Sequence, residues 1–209
     1  MFKKKRIKYE IKKNRKRKQF NILAILTIIS ILLGIMFVAI LSKNDKNLIK
    51  NSFDSYFQTI AKSNYNGYNT IINNILSNVL LPLLIWIMGV SLIATPISIL
   101  YLLYKSFIYG FTISSLIYTY GFKVIPILLI YIFSLTIDLF IIFILTFYAI
   151  NLSRKIYIFI FKKKDININI TFKTYSKFLI IMLAILLISA YFNAYIAPIL
   201  IKSFTKLII

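Results

Sequence analysis

The chain has 209 residues, of which 60% are apolar, and a mean hydropathy of +0.83. Soluble domains are typically about 45–50% apolar, and here the apolar residues cluster in long runs that a water-soluble fold could not cover. The composition therefore excludes an ordinary soluble domain and predicts an all-α, polytopic helical membrane protein. With no Cys or His and only five acidic residues, the chain lacks the usual general bases, thiol nucleophiles and zinc ligands. We expect no enzymatic activity, no cofactor and no metal.

The net charge of +21 first suggests nucleic acid, but the basic residues lie in short blocks beside apolar runs. Eleven of the 26 Lys and Arg residues lie within residues 3–18. A basic segment next to a membrane span favours cytoplasmic retention and contact with anionic lipid headgroups. Residues 1–18 are therefore predicted to be a basic cytoplasmic tail that binds lipid headgroups and not nucleic acid.

A span needs about 20 apolar residues to cross about 30 Å of hydrocarbon. The first apolar run is too long for a signal-peptide core and has no cleavage site after it, so we interpret it as a retained span. Five spans are predicted within a membrane domain of residues 19–209, at about 20–41, 75–104, 106–120, 124–152 and 178–201. The run 106–120 is short, so a re-entrant segment and four true spans are the alternative. With five spans, the inside segments hold 19 basic residues and the outside segments seven, which favours an inside N-terminus and an outside C-terminus.

Residues 42–74 form a polar segment between the first two spans, predicted to be extracytoplasmic. Its apolar residues repeat with helical spacing from Ile49 to Ile60, which indicates an amphipathic helix. This helix either lies passively on the outer leaflet or offers Phe53, Tyr56 and Phe57 as a docking face for a partner.

Asp138 is the acidic residue within an apolar run. A charge at that depth is costly, so such residues usually face protein or water. We favour a polar clamp, protonated or hydrogen-bonded to Ser134, Thr136 or another span. An ion or proton relay is the alternative.

Several residues are suited to helix packing. Gly89 with Ser91, and Gly110 with Ser114, are small and permit close helix approach. Trp86 lies deep in its predicted span and is expected to pack between helices, whereas Tyr104, Tyr118 and Tyr120 suit the membrane interface.

Residues 73–123 contain a set of residues with a recognisable spacing: Asn73, Asn74, Trp86, Gly89, Ser91, Ile93, Pro96, Lys105, Gly110, Phe111, Gly121, Phe122 and Lys123. With this spacing and the order of the features above, the chain resembles the stage II sporulation protein M family, which has a basic start, one span, an extracytoplasmic segment and a signature across the next spans. The family usually has Gly where Ala94 and Ser106 stand, and a Pro-Gln-Asn turn near Ser134–Thr136.

The resemblance implies a non-enzymatic scaffold in the bacterial cell membrane that anchors two cell-wall-degrading partners during engulfment of the forespore. The predicted partners are therefore membrane-anchored peptidoglycan hydrolases. Asp138 and the prolines of the second predicted span leave a small transporter or permease subunit as the alternative, and an intramembrane enzyme as a weaker third.

Overall fold

The computed structural model describes residues 2–62, 66–92, 95–163 and 167–205, without the side chains of 2–13, 77–79, 81 and 162. Within these ranges the chain is helical almost throughout and has no strand, so the predicted all-α class is confirmed. Ile93, Ala94 and residues 63–65 of the predicted extracytoplasmic segment lie outside the described residues. The α-helices are α1 (Phe2–Ile40), α2 (Lys43–Ala61), α3 (Gly67–Val90), α4 (Thr95–Tyr120), α5 (Ile125–Lys162), α6 (Ile168–Tyr191) and α7 (Ala197–Thr205).

Polar side chains begin three of these helices. The side chain of Ser42 accepts a hydrogen bond from the amide of Asp45, that of Asn66 from two amides in the first turn of α3, and that of Asn167 from the amide of Ile170. Such caps satisfy amides that have no partner within the helix. They place the starts of α2, α3 and α6.

α1 joins the basic tail and the first apolar run in one unbroken helix of 39 residues. At 1.5 Å per residue this helix is about 58 Å long, roughly twice the thickness of the hydrocarbon core. The basic residues therefore continue along the axis of the apolar segment.

The predicted boundary between the second and third runs at Lys105 is wrong. α3 ends at Val90, and the amide of Ser91 bonds to the carbonyl of Met88. Pro96 lies in the first turn of α4, where its missing N–H has no helical partner to lose. No charged residue accompanies this break, whereas Lys105 lies inside α4. With 26 residues, α4 is about 39 Å long, so the short length that favoured a re-entrant third run disappears.

Three continuous helical stretches among the described residues are long and apolar enough to cross a membrane: Asn14–Ile40, Thr95–Phe161 and Ile168–Thr205. The second stretch contains both α4 and α5, joined by a 3-10 turn over Gly121–Val124. Gly121 has a φ of +63°, a left-handed conformation that glycine adopts without steric cost. This turn lets the chain reverse direction between α4 and α5.

Side-chain contacts show the relative directions of the helices. Contacts between α1 and α4 progress from Ser30–Leu103 to Ile35–Ser114, with both numbers rising, so these helices are parallel. In each of the other pairs one number rises while the other falls, so the helices are antiparallel. These contacts are Ser98–Thr146 and Tyr109–Thr136 for α4 and α5, Tyr148–Phe178 and Asp138–Ser189 for α5 and α6, and Gly67–Ala194 and Ile85–Tyr175 for α3 and the α6–α7 region.

The bundle has two buried apolar clusters. The larger one joins α3, α4, α5 and α6 with part of α1, around Leu145 and Tyr175. The smaller one lies where α2 packs on α4, α5 and α7, around Phe57 and Ile127. A polar cavity lies beside these clusters.

Candidate functional site

A cavity of about 310 Å³ lies within the bundle and is lined by polar and charged side chains from several helices. Polar groups in an apolar bundle are costly unless they have partners, so their concentration marks this space as the candidate site. The polar lining residues are Tyr56, Thr70, Asn74, Lys105, Tyr109, Tyr131, Ser134, Asp138 and Asn193.

Asp138 of α5 lies at the inner part of this cavity and is half-buried. Its Oδ1 accepts a hydrogen bond from the Ser189 hydroxyl of α6 at 3.3 Å. The two neighbours predicted to hold Asp138 have other partners: Ser134 accepts from the Asn193 amide at 2.5 Å, and Thr136 shares a 3.1 Å hydrogen bond with Tyr109. The partner of Asp138 therefore comes from another helix.

Lys105 of α4 lines the same cavity and interacts electrostatically with Asp138. The two groups do not form an ion pair within 4.0 Å. The Lys105 ammonium lies 5.9 Å from the centre of the Tyr101 ring. Lys105 belongs to the residues that carry the family resemblance, but the predicted spans at 75–104 and 106–120 placed it at a span boundary and not inside the bundle.

Once the limits of α4 and α5 are known, the sequence positions of Lys105 and Asp138 indicate that the two residues lie at a similar depth. Lys105 lies 15 residues before the end of α4, and Asp138 lies 13 residues after the start of α5. At 1.5 Å per residue these distances are about 22 and 20 Å. Because α4 and α5 are antiparallel neighbours, the two charges fall at nearly the same depth.

Asn193 reaches the cavity from a π-helical turn, Phe192–Ile196, between α6 and α7. The amide of Ala197 bonds to the carbonyl of Phe192, five residues earlier. The turn directly precedes Pro198, which cannot donate the α-helical hydrogen bond to residue 194. Such π turns occur frequently at functional sites.

Tyr56 of α2 and Tyr131 of α5 lie together on the cavity wall at the end of the bundle that α2 covers. Their ring centres are 6.3 Å apart, and their side chains share a hydrogen bond. Burial raises the pKa of the Tyr56 phenol above its ordinary value, partly offset by that hydrogen bond. Tyr56 therefore presents a neutral hydroxyl where α2 meets the cavity.

The apolar face of α2 packs on its own chain. Phe57 is 0% exposed and Ile60 is 2% exposed, and Phe53 is half-buried near the ring of Tyr120. The Tyr120 hydroxyl donates to Asp54 at 2.6 Å, which fixes α2 to the end of α4. A partner cannot reach the Phe57 ring while α2 keeps this position, so docking through that face requires α2 to move.

Two of the predicted packing glycines lie at close contacts. A Cβ at Gly110 would collide with the carbonyl group of Ile31 on α1, and one at Gly89 would lie 2.5 Å from the Tyr175 hydroxyl and 2.9 Å from the Ala149 Cβ. Gly34 on α1 has the same character, because a Cβ there would collide with the carbonyl of Phe107. Gly34 was not among the packing residues predicted from the sequence.

Trp86 packs between helices, with its ring centre 5.8 Å from Phe172 and 6.3 Å from Tyr175 of α6. Its indole nitrogen is buried and has no hydrogen-bond partner within the described part of the chain. Asn74 lines the cavity, whereas Asn73, one position earlier, is exposed. Pro96 is exposed in the first turn of α4.

The chain matches the sequence model of the family described as stage II sporulation protein M over residues 23–198. The chain belongs to the stage II sporulation protein M family. The match runs from α1 to the start of α7 and includes every polar residue that lines the cavity. No curated protein and no solved structure matches the chain. Family membership and the long apolar helices identify a membrane protein of a sporulation-related family.

Proposed function

We propose that this family member is a non-enzymatic membrane scaffold that recruits extracytoplasmic peptidoglycan-remodelling partners in an engulfment-type complex. The observation that carries this proposal is the family match over residues 23–198. The partners we propose are membrane-anchored peptidoglycan hydrolases, and the basic start of α1 contacts anionic lipid headgroups.

We propose five spans: α1, α3, α4, α5 and the α6–α7 stretch, with the N-terminus cytoplasmic and the C-terminus extracytoplasmic. The alternating directions of these helices support this arrangement, as does their length. Once Lys105 is assigned to the bundle interior, 18 basic residues fall on the cytoplasmic side and seven on the other, so the charge bias still supports it.

The fixed position of α2 supports a scaffold role. The Asp54–Tyr120 hydrogen bond and a cation–π contact of 4.6 Å between Lys46 and the Tyr118 ring attach α2 to α4. The opposite face stays exposed, at Ser52, Ser55 and Thr59. A rigid helix with one exposed polar face presents a constant surface to a partner, which reduces the entropy lost on binding.

The experiment is affinity capture of a tagged full-length chain from solubilised membranes, taken during sporulation if the host forms spores, with mass spectrometry of the captured proteins. We expect peptidoglycan hydrolases, and we expect their loss when Ser52, Ser55 and Thr59 are changed to Lys. The matched control places lysines at Asn169 and Thr174, polar residues that are exposed in the first turns of α6. Capture of no hydrolase, or equal loss in the control, contradicts the proposal.

Changing Phe53, Tyr56 and Phe57 to Ser tests the apolar face directly. Because Phe57 is fully buried, we expect this variant to release α2 from the bundle and to lower accumulation as well as capture. Capture retained by a variant that still accumulates would remove α2 as the docking element.

The second candidate function is a small transporter or permease subunit. The observation that favours it is the cavity that holds Lys105 and Asp138, since charged residues within spans often mark solute or ion pathways. Asp138→Asn should then abolish an uptake or flux phenotype while the protein still accumulates. An unchanged phenotype at normal accumulation excludes this function, and capture of an ATPase or a solute-binding protein favours it over the scaffold.

A further inference from the structure

We infer that the cavity between α3, α4 and α5 binds a small zwitterion of amino-acid to tripeptide size, with the ligand's ammonium at Asp138 and its carboxylate at Lys105. This binding site goes beyond the scaffold proposal and does not depend on it. If the chain is instead a permease subunit, the inference rests on that function and names the class of its substrate.

Among the described residues, the two charges have few hydrogen-bond partners. The Lys105 ammonium has three N–H donors but no hydrogen-bond acceptor there, and it lies 5.9 Å from the centre of the Tyr101 ring. Asp138 has four acceptor sites and accepts one hydrogen bond there, from Ser189. Since half-buried charges lose much of their hydration, both groups retain capacity for a ligand.

The spacing of the charges favours a bridging ligand over a direct ion pair. Lys105 and Asp138 face one cavity and interact electrostatically, yet they are separated by more than 4.0 Å. A lone anion at Lys105 would be repelled by Asp138, and a lone cation at Asp138 would be repelled by Lys105. A ligand that carries both charges satisfies both residues and keeps the site neutral.

The remaining walls fit the body of such a ligand. Tyr109, Ser134 and Asn193 supply hydroxyl and amide groups between the charges and the covered end, which suit a peptide group. Apolar side chains complete the lining and suit small aliphatic substituents. These are Ile108, Ile130, Leu135, Leu139, Ile142, Ala197 and Ile201.

Size and access are consistent with this class. The volume of about 310 Å³ falls at the low end of the roughly 300–1,000 Å³ of small-molecule sites. The cavity extends from Asp138 to Tyr56 and Thr70, near the helix ends that α2 covers. In the proposed topology this is the extracytoplasmic side, so the ligand enters from outside.

The test uses purified full-length protein in lipid nanodiscs and equilibrium binding of alanine, alanyl-alanine and trialanine, which span three separations of the two charges. We expect saturable binding of at least one probe, at one site per chain. Blocking its amine by N-acetylation, or its carboxylate as the amide, should each weaken binding at least tenfold. No saturable binding of any probe, or equal binding of the blocked forms, overturns the inference.

Two variants assign the ends of the ligand. Asp138→Asn should lose the preference for the free amine over the N-acetyl form and keep the preference for the free carboxylate, and Lys105→Gln should do the reverse. Asp45→Asn and Lys123→Gln, which remove an acid and a base outside the cavity, should bind like the unchanged protein. If both variants keep both preferences, the assignment of the two ends is overturned. If a variant does not accumulate, binding of the N-acetyl and amide forms to the unchanged protein still decides whether the site recognises both charges of the ligand.

Binding does not depend on partner capture or on flux. A chain that captures hydrolases but binds no probe refutes the site alone. A chain that binds the probe but captures no hydrolase refutes the scaffold alone, and probe binding without uptake refutes the permease.

Discussion

Gly34 of α1 and Gly110 of α4 allow two helix backbones to meet without intervening side chains. A Cβ at either position would collide with a carbonyl group of the other helix, that of Phe107 or that of Ile31. Ser30 donates to the carbonyl of Leu103 at 2.6 Å within the same interface. In a lipid solvent, helices associate through close packing and hydrogen bonds of this kind. α1 is therefore an integral part of the bundle.

Replacing Gly34 or Gly110 by Leu should separate α1 from α4. Overpacking at a tight contact costs about 1–3 kcal/mol, and here the obstructing atoms belong to the backbone, which cannot rotate away. We expect lower accumulation and a lower melting temperature in detergent. The matched control is Ala39→Leu, an exposed position on the same helix. Equal melting temperatures for Gly34→Leu, Gly110→Leu and Ala39→Leu would contradict this packing.

Gly89 and Tyr175 form a second close contact that a pair of substitutions can test. Gly89→Ala would place a methyl group 2.5 Å from the Tyr175 hydroxyl, which itself donates to the carbonyl of Ile85 at 3.1 Å. Tyr175→Phe alone should cost about 1 kcal/mol for the lost hydrogen bond. In the double variant the missing hydroxyl relieves part of the collision, so the loss should be smaller than the sum of the single losses. Additive losses in thermal unfolding would show that the contact does not form.

The Tyr120–Asp54 hydrogen bond should control the position of α2. A hydrogen bond to a charged group contributes about 1.5–3 kcal/mol, and the lower value suits this half-exposed pair. Because the chain has no cysteine, Ile60→Cys provides a single buried reporter on α2. Adding Tyr120→Phe should increase its maleimide labelling about tenfold. The control is Tyr104→Phe, which changes an exposed tyrosine on α4, the helix that ends at Tyr120. This control should leave the labelling of the α2 reporter unchanged.

The proposed five-span topology predicts which single cysteines a membrane-impermeant maleimide reaches. Asn51→Cys and Lys123→Cys, both at exposed positions, should react in intact cells. Leu92→Cys and Lys163→Cys should react only after permeabilisation. Leu92→Cys tests whether α3 crosses the membrane, since Leu92 lies two residues after the end of α3 at Val90. Labelling of Leu92→Cys in intact cells would mean that α3 does not cross.

The helices themselves could be predicted, because long apolar runs in a lipid solvent have few alternatives to helix. The limits of α3 and α4 could not, since the cues at this break have two meanings. Pro96 bends a helix in its interior but begins one in its first turn. Lys105 ends a span when its charge needs water, but a polar cavity with Asp138 supplies another environment.

The site was harder to predict than the fold because it depends on contacts between distant segments. Asp138 was evident as a lone acid, but its bond to Ser189 joins residues 51 positions apart. The apolar stripe of α2 was evident from its period, whereas periodicity cannot show whether a partner or the chain itself covers that face. The family resemblance drew attention to Asn74 and Gly110 as residues of interest. It did not indicate that Asn74 lines a cavity.

The π-helical turn before Pro198 sets the phase of α7. An extra residue in a helix rotates everything after it by about 100° relative to a continuous α-helix. Asn193, within the turn, contacts Ser134 at the cavity, and Ala197 and Ile201 after it line the same cavity while also packing in the cluster that holds Phe57. A one-residue deletion in this turn would therefore shift the phase of α7 and disturb the cavity wall and the packing of α2 together, while leaving α6 in place.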